Sequence, residues 1–196
     1  TMKIGIFSGS FNPIHTGHLI IANYLCEFEK LDEIWFVVSP QNPLKSKRDL
    51  LSDIHRITMV KKAIRGNRKF KYCDIEFSLP LPSYTVRTLK TLKEKYPENE
   101  FHLIIGSDNW LIFDRWKDYQ EILDNYPIFI YPRLGYEIAS KNSLNGKNIQ
   151  IAKSPIIEIS STFIREGISK GKNMNYYMPS NVYRYILSKA LYQPQT

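Results

Sequence analysis

The 196-residue sequence predicts an α/β fold, an open parallel sheet with helices on both faces. Three observations carry that expectation. Short apolar runs recur along the chain, and Glu33–Ser39 (EIWFVVS) is apolar enough to be buried on both sides. Amphipathic stretches separate these runs, and parallel neighbours need such crossovers. Composition is that of a globular domain, with 43% hydrophobic and 23% charged residues.

The elements follow in order. Lys3–Ser8 (KIGIFS) reads as a strand and Thr16–Glu29 as a helix. Glu33–Ser39 is the second strand, and SPQNPLK after it is a loop broken by prolines. A helix is expected over Asp53–Arg65, a strand over Lys69–Asp74 and a helix over Thr85–Lys95. Phe101–Ile105 (FHLII) and Ile128–Tyr131 are strands, with a short helix over Asn109–Phe113 between them. Leu134–Lys153 is polar and carries Asn145-Gly146, so it reads as a surface loop or irregular segment. Ser160–Lys170 and Pro179–Leu191 read as C-terminal helices packed on the same domain, a single one over residues 2–196.

No run is long and apolar enough for a membrane span, and no signal-peptide pattern opens the chain. The two cysteines, Cys26 and Cys73, lie far apart without a CxxC motif, which suits reduced thiols and a cytoplasmic location. Neither they nor the histidines have zinc-ligand spacing, so no protein metal site is expected. The net charge of +8 favours anionic partners such as nucleotides. Lys61, Lys62, Arg65, Arg68, Lys69 and Lys71 read as a solvated helix face and turn rather than a nucleic-acid surface.

The chemistry concentrates in GIFSGSFNPIHTGHLIIANYL (Gly5–Leu25). Gly5 and Gly9 do not fit GxGxxG, and no GxxxxGK follows, which removes the dinucleotide and P-loop readings. The stretch still lies where the first strand meets the first helix, and there N–H groups and the helix dipole favour an anion. Gly9 allows close backbone approach, Asn12-Pro13 stiffens the turn and Gly17 relieves crowding. His15 in the loop and His18 in the first turn can both donate to one phosphate. EISSTFIREGI is a second helix start. Ser160, Ser161 and Thr162 suit an N-cap, and Arg165, expected in the first turn, opposes the dipole unless an anion binds there. In IIGSD, Gly106 gives room for a nucleotide, and Asp108 either accepts from it or caps a helix.

GSFNPIHTGHL and ISSTFIR resemble the two signatures of the nucleotidyltransferases related to class I aminoacyl-tRNA synthetases. The resemblance implies a Rossmann-like nucleotidyltransferase fold. It implies that Gly9, Ser10, Phe11, Gly17, Gly106, Asp108, Ser161 and Thr162 bind ATP, with His15, His18 and Arg165 catalytic. Ser8 and Asn12 stand where many members have Gly and Asp. Three further stretches, PSYTVRTL, DRWKDYQEIL and YPRLGY, resemble the bacterial nicotinate mononucleotide adenylyltransferases in order and interval. That resemblance covers nearly the whole chain. It implies stacking of the nicotinate ring on Trp116, carboxylate binding at Tyr84 and Thr85, and phosphate contact from Arg133 and Lys45. Leu134 departs from the usual Pro.

The activity so implied joins ATP to nicotinate mononucleotide, with Mg²⁺ held mainly by the ATP phosphates. Nicotinamide mononucleotide and phosphopantetheine remain open as acceptors, and a non-catalytic nucleotide-binding module is the rival from another class. No nucleic-acid or membrane partner is expected. A homo-oligomer stays open.

Overall fold

A computed structural model describes residues 1–40, 50–138 and 148–194. Six strands form one wholly parallel sheet: β1 Lys3–Gly9, β2 Glu33–Val38, β3 Phe70–Cys73, β4 Glu100–Gly106, β5 Ile128–Tyr131 and β6 Ile149–Ile151. Their spatial order is β3-β2-β1-β4-β5-β6. The chain therefore builds outward from β1, returns to its other side at β4, and builds outward again. The switch lies between β1 and β4, whose last residues are Gly9 and Gly106. Ligands of open parallel sheets bind beyond the carboxyl ends at such a point.

Helices α1 Thr16–Phe28, α2 Asp53–Ile64, α3 Thr85–Lys95, α4 Ser107–Trp110, α5 Tyr119–Asn125, α6 Ser161–Ser169 and α7 Ser180–Ser188 complete the described elements, with short 3₁₀ turns. The period-2 alternation of the strands divides the core. Phe7, Ile34, Phe36, Ile104 and Phe129 pack on one face, with residues of α1, α2, α6 and α7. Ile4, Ile6, Val37, Leu103, Ile105, Ile128 and Ile130 pack on the other, with α3 and α5. Each fully buried side chain of this size contributes about 1.5–3 kcal/mol before entropy is charged against it. Gly5 belongs to this packing. A Cβ there would lie 2.6 Å from Ile104, 2.7 Å from Ile34 and 2.8 Å from Leu31.

The open parallel α/β sheet expected from the sequence is present, and the main elements lie within a residue or two of their expected bounds, except the last helix, which ends at Ser188 instead of Leu191. Three expectations are corrected. Leu134–Lys153 is not loop throughout, because β6 lies inside it. Its Ile-Gln-Ile pattern is too short to stand out in sequence, and parallel pairing with β5 makes it a strand. The helix expected over Asn109–Phe113 starts earlier, at Ser107. Helix α5 was not foreseen. It is only seven residues long and buries one side chain, Ile122. The basic run from the last turn of α2 into β3 is engaged locally. Lys69 pairs with Glu27 at 2.7 Å, and Lys61 and Lys62 lie over the rings of Tyr72 and Tyr185.

Candidate active site

The H-x-G-H stretch forms the N-terminus of α1. His15 is the N-cap, in extended backbone conformation, and its Nδ1 accepts a hydrogen bond from Gly17 N at 3.1 Å. His15 N donates in return to His18 Nδ1, also at 3.1 Å. This is a capping box made of two imidazoles in place of the usual hydroxyl and carboxylate. The rings stack with centroids 3.8 Å apart. The spacing of the motif follows from that geometry. A Cβ at Gly17 would lie 2.9 Å from His15 Cε1, so only glycine lets the ring fold over the cap.

Each Nδ1 accepts from backbone, which assigns the proton of each neutral ring to Nε2. His15 is 5% exposed. Burial, reinforced by the charge of Arg133, lowers its pKa from 6.5 to about 3. Neutral His15 is therefore an N–H donor and not a standing cation.

The loop between β1 and α1 is held by its carbonyls. Ser10 O accepts from the Arg56 guanidinium at 2.8 Å. Asn12 O accepts from Arg165 at 2.9 Å, and Pro13 O accepts from Ser161 Oγ at 2.9 Å. With three carbonyls bound, the loop is fixed in shape. The last two bonds join the two sequence signatures across 153 and 148 residues. Ser160 caps α6, its Oγ accepting from Phe163 N at 3.1 Å. This places Arg165 in the second turn rather than the first. Its guanidinium nevertheless reaches the loop, and a weaker bond runs to Thr162 Oγ1 at 3.4 Å.

Asn12 uses its side chain as an anchor. Its Oδ1 accepts from the hydroxyl of Tyr192 at 2.7 Å. Burial pushes the Tyr192 phenol well above its ordinary range, so the hydroxyl stays protonated and donates. Phe11 is 2% exposed and packs edge-on against Phe7 and His18, so its contribution to the loop is shape. Gly9 also has a packing reason, since a Cβ there would meet the Phe11 ring at 3.1 Å. Ser10 is placed through its backbone.

At the end of β4, Asp108 and Arg133 form an ion pair, with Nη1 to Oδ2 at 2.9 Å. Arg133 N also donates to Ser107 Oγ at 2.8 Å. Asp108 makes no side-chain cap bond on α4. A Cβ at Gly106 would collide with Asp108 Oδ1 and lie 3.0 Å from Arg133 Cδ, so this glycine makes room for the pair. Sequence reading assigned the two residues to different substrates, and the structure joins them.

A cleft open at its mouth lies beside these groups. Gly9 and Gly106 contribute the strand ends, Tyr84 and Thr85 the start of α3, and Trp116 an aromatic wall. Trp116 packs on Phe113 with centroids 5.1 Å apart, and its Nε1 is buried without a hydrogen-bond partner. Ser8 Oγ, Ser83 Oγ and Glu76 Oε2 in the same cleft share that condition. Buried polar atoms are normally satisfied, so four orphans in one cleft mark a place for a polar ligand or water. Lys45, the remaining candidate, lies outside the described residues.

The sequence reading missed Arg56, Tyr192 and Glu76. Arg56 carried a signal, because it occupies the buried stripe of α2 with Met59, Val60 and Ile64. It is fully buried, pairs with Asp53 and also donates to Ser39 O at 2.9 Å. Nothing local distinguished Tyr192 or Glu76.

The family model described as cytidylyltransferase-like matches residues 6–167. A protein of Bacteroides fragilis, named probable nicotinate-nucleotide adenylyltransferase, is 54% identical over 96% of this chain and 92% of its own length. The Flavobacterium johnsoniae protein of the same name is 50% identical over 98% of this chain and all of its own. The chain belongs to the cytidylyltransferase-like family, among its nicotinate-nucleotide adenylyltransferases. A solved Plasmodium falciparum nicotinic acid mononucleotide adenylyltransferase complexed with NaAD superposes with a TM-score of 0.83. It covers 98% of both chains at 23% identity, a likeness of fold. For a nicotinate-nucleotide adenylyltransferase the arrangement is coherent: two helix N-termini meet at one loop, beside a cleft with one aromatic wall. Among the described residues, no three His, Cys, Asp or Glu side chains gather as a metal site, and no helix is long and apolar enough to cross a membrane.

Proposed function

We propose that this chain transfers the adenylyl group of ATP to the phosphate of nicotinate mononucleotide, giving nicotinate adenine dinucleotide and pyrophosphate. The observation that carries this reading is the convergence of both signatures on one loop. Ser161 and Arg165 bind the carbonyls of Pro13 and Asn12, next to the cleft that Tyr84, Thr85 and Trp116 line. The names of the relatives from Bacteroides fragilis and Flavobacterium johnsoniae support the same activity.

In this reading the acceptor phosphate attacks the α-phosphorus in line. A P–O bond forms there as the bond to the bridging oxygen of pyrophosphate breaks. A phosphate monoester is already largely ionised at neutral pH, so no general base is required. The protein's task is to hold two anions in line and stabilise the charge that grows on the transferred group. His15 and His18 donate from Nε2, and Arg165 supplies positive charge at the leaving group. Gly9, Ser10, Phe11 and Gly17 shape the loop, Ser161 and Thr162 hold the polyphosphate, and Gly106 and Asp108 meet the nucleoside. Trp116 stacks on the pyridine ring, the Tyr84–Thr85 backbone receives its carboxylate, and Arg133 and Lys45 meet its phosphate. Mg²⁺ fits as part of the ATP it accompanies, held mainly by phosphate oxygens, where it neutralises charge. Residues 2–196 act as one domain, and the two free cysteines suit a cytoplasmic setting.

Pyrophosphate release from ATP and Mg²⁺ tests the reading, with nicotinate mononucleotide, nicotinamide mononucleotide and phosphopantetheine compared side by side. Release driven chiefly by nicotinate mononucleotide supports it. Release with another acceptor alone, or ATP binding without release for all three, overturns it.

A further inference from the structure

The floor of the cleft holds a carboxyl group that the proposed reaction does not use. Glu76 sits in the turn Ile75–Ser78 between β3 and α3 and is 3% exposed. Its Oε1 accepts a hydrogen bond from Thr88 Oγ1 at 2.9 Å. Its Oε2 is buried without a hydrogen-bond partner. Thr88 belongs to the first turns of α3 and is 1% exposed, and its hydroxyl also lies 3.3 Å from Tyr84 O. Glu76 therefore grips α3 at Thr88, one turn along from the helix start at Tyr84 and Thr85. Ser83 Oγ, one residue earlier, is a second orphan in the same cleft.

Leaving a buried carboxyl half-satisfied is costly, and apolar packing would serve a purely structural turn better. Burial pushes its pKa up, while the hydrogen bond from Thr88 pulls it back. The first N–H groups of α3 have no partner inside the helix, and their direction depends on how that turn is held.

We propose that Glu76 is a positioning residue for the acceptor end of the site: through Thr88 it fixes the start of α3, and with Ser83 it forms the polar floor under the pyridine substituent. The proposal rests on the adenylyl-transfer reading. It assigns Glu76 to acceptor affinity, not to ATP binding or to the chemical step.

Steady-state kinetics with both substrates varied test it on the intact chain, alongside thermal unfolding. Glu76→Leu is expected to raise KM for nicotinate mononucleotide about tenfold, with KM for ATP changed less than about twofold. Glu76→Gln keeps an oxygen for Thr88 and is expected to stay within about threefold of the wild type. Thr88→Val removes the donor and is expected to follow Glu76→Leu, so it decides the matter if the latter does not fold. An unchanged acceptor KM in folded Glu76→Leu or Thr88→Val overturns the proposal. So does a rise of both KM values in step with lost stability. Wild-type turnover separates the two readings: an inactive wild type refutes the reaction, whereas an active one with indifferent variants refutes only the role of Glu76.

Discussion

His15 should make this protein acid-sensitive through one identifiable group. Its ring is buried and its pKa lies near 3, against 6.5 when unperturbed. On acidification the unfolded chain takes up this proton first, so stability falls as pH drops through 6.5 toward 3. Above 6.5 both states are neutral at this site and it contributes no pH dependence. At about pH 5 the imbalance amounts to roughly 2 kcal/mol, and near pH 3 it reaches roughly 4 kcal/mol. The perturbation that isolates it is His15→Asn. Asparagine is among the best N-caps and does not titrate, so the helix keeps its cap. Denaturant unfolding at about pH 7.5 and about pH 5 gives four free energies, and the wild type is expected to lose roughly 2 kcal/mol more than the variant on acidification. Equal losses would refute the argument, because they would mean that His15 is not held neutral by its surroundings. A greater loss in the variant would do the same.

Other consequences are equally direct. Trp116→Ala is expected to raise KM for the pyridine nucleotide about tenfold or more with little change in thermal stability, as read by kinetics and calorimetry together. Arg56→Met leaves the carbonyls of Ser10 and Ser39 without their buried donor, with an expected stability loss of about 2–4 kcal/mol in denaturant unfolding. Gly106→Ala forces Asp108 and Arg133 apart, and kcat/KM for ATP should fall at least about tenfold. Tyr192→Phe removes one hydrogen bond to Asn12, which should cost about 1 kcal/mol in unfolding and raise KM for ATP a few-fold.

The sheet was legible because burial on both faces leaves a nearly continuous apolar pattern, as in Glu33–Val38. Edges and short pieces were not. Three residues of β6 and the seven of α5 carry too little periodicity, and their state is set by the neighbours they pair with. The two signatures that meet at the first loop could be read locally because both are helix starts. The contacts that fix it run between segments far apart: Arg56 to Ser10, Arg165 to Asn12, Tyr192 to Asn12. Local patterns do not report such pairings. The Asp108–Arg133 pair shows the same limit, since each residue had a sensible local meaning and only folding revealed that they meet.

The bonds from Ser161 and Arg165 to the first loop also bear on how the protein comes into being. They close a ring of about 150 residues, and loop closure of that span is an entropic cost met only when the rest of the chain is ordered. A ribosome delivers the N-terminus first. A nascent chain that has emerged through β5 carries the cleft walls from α3 to Trp116, yet its histidine loop still lacks the helix that grips it. Completion of the histidine loop is thus a late event in synthesis, and an interrupted chain would be left with the cleft walls and a loop that α6 does not yet hold.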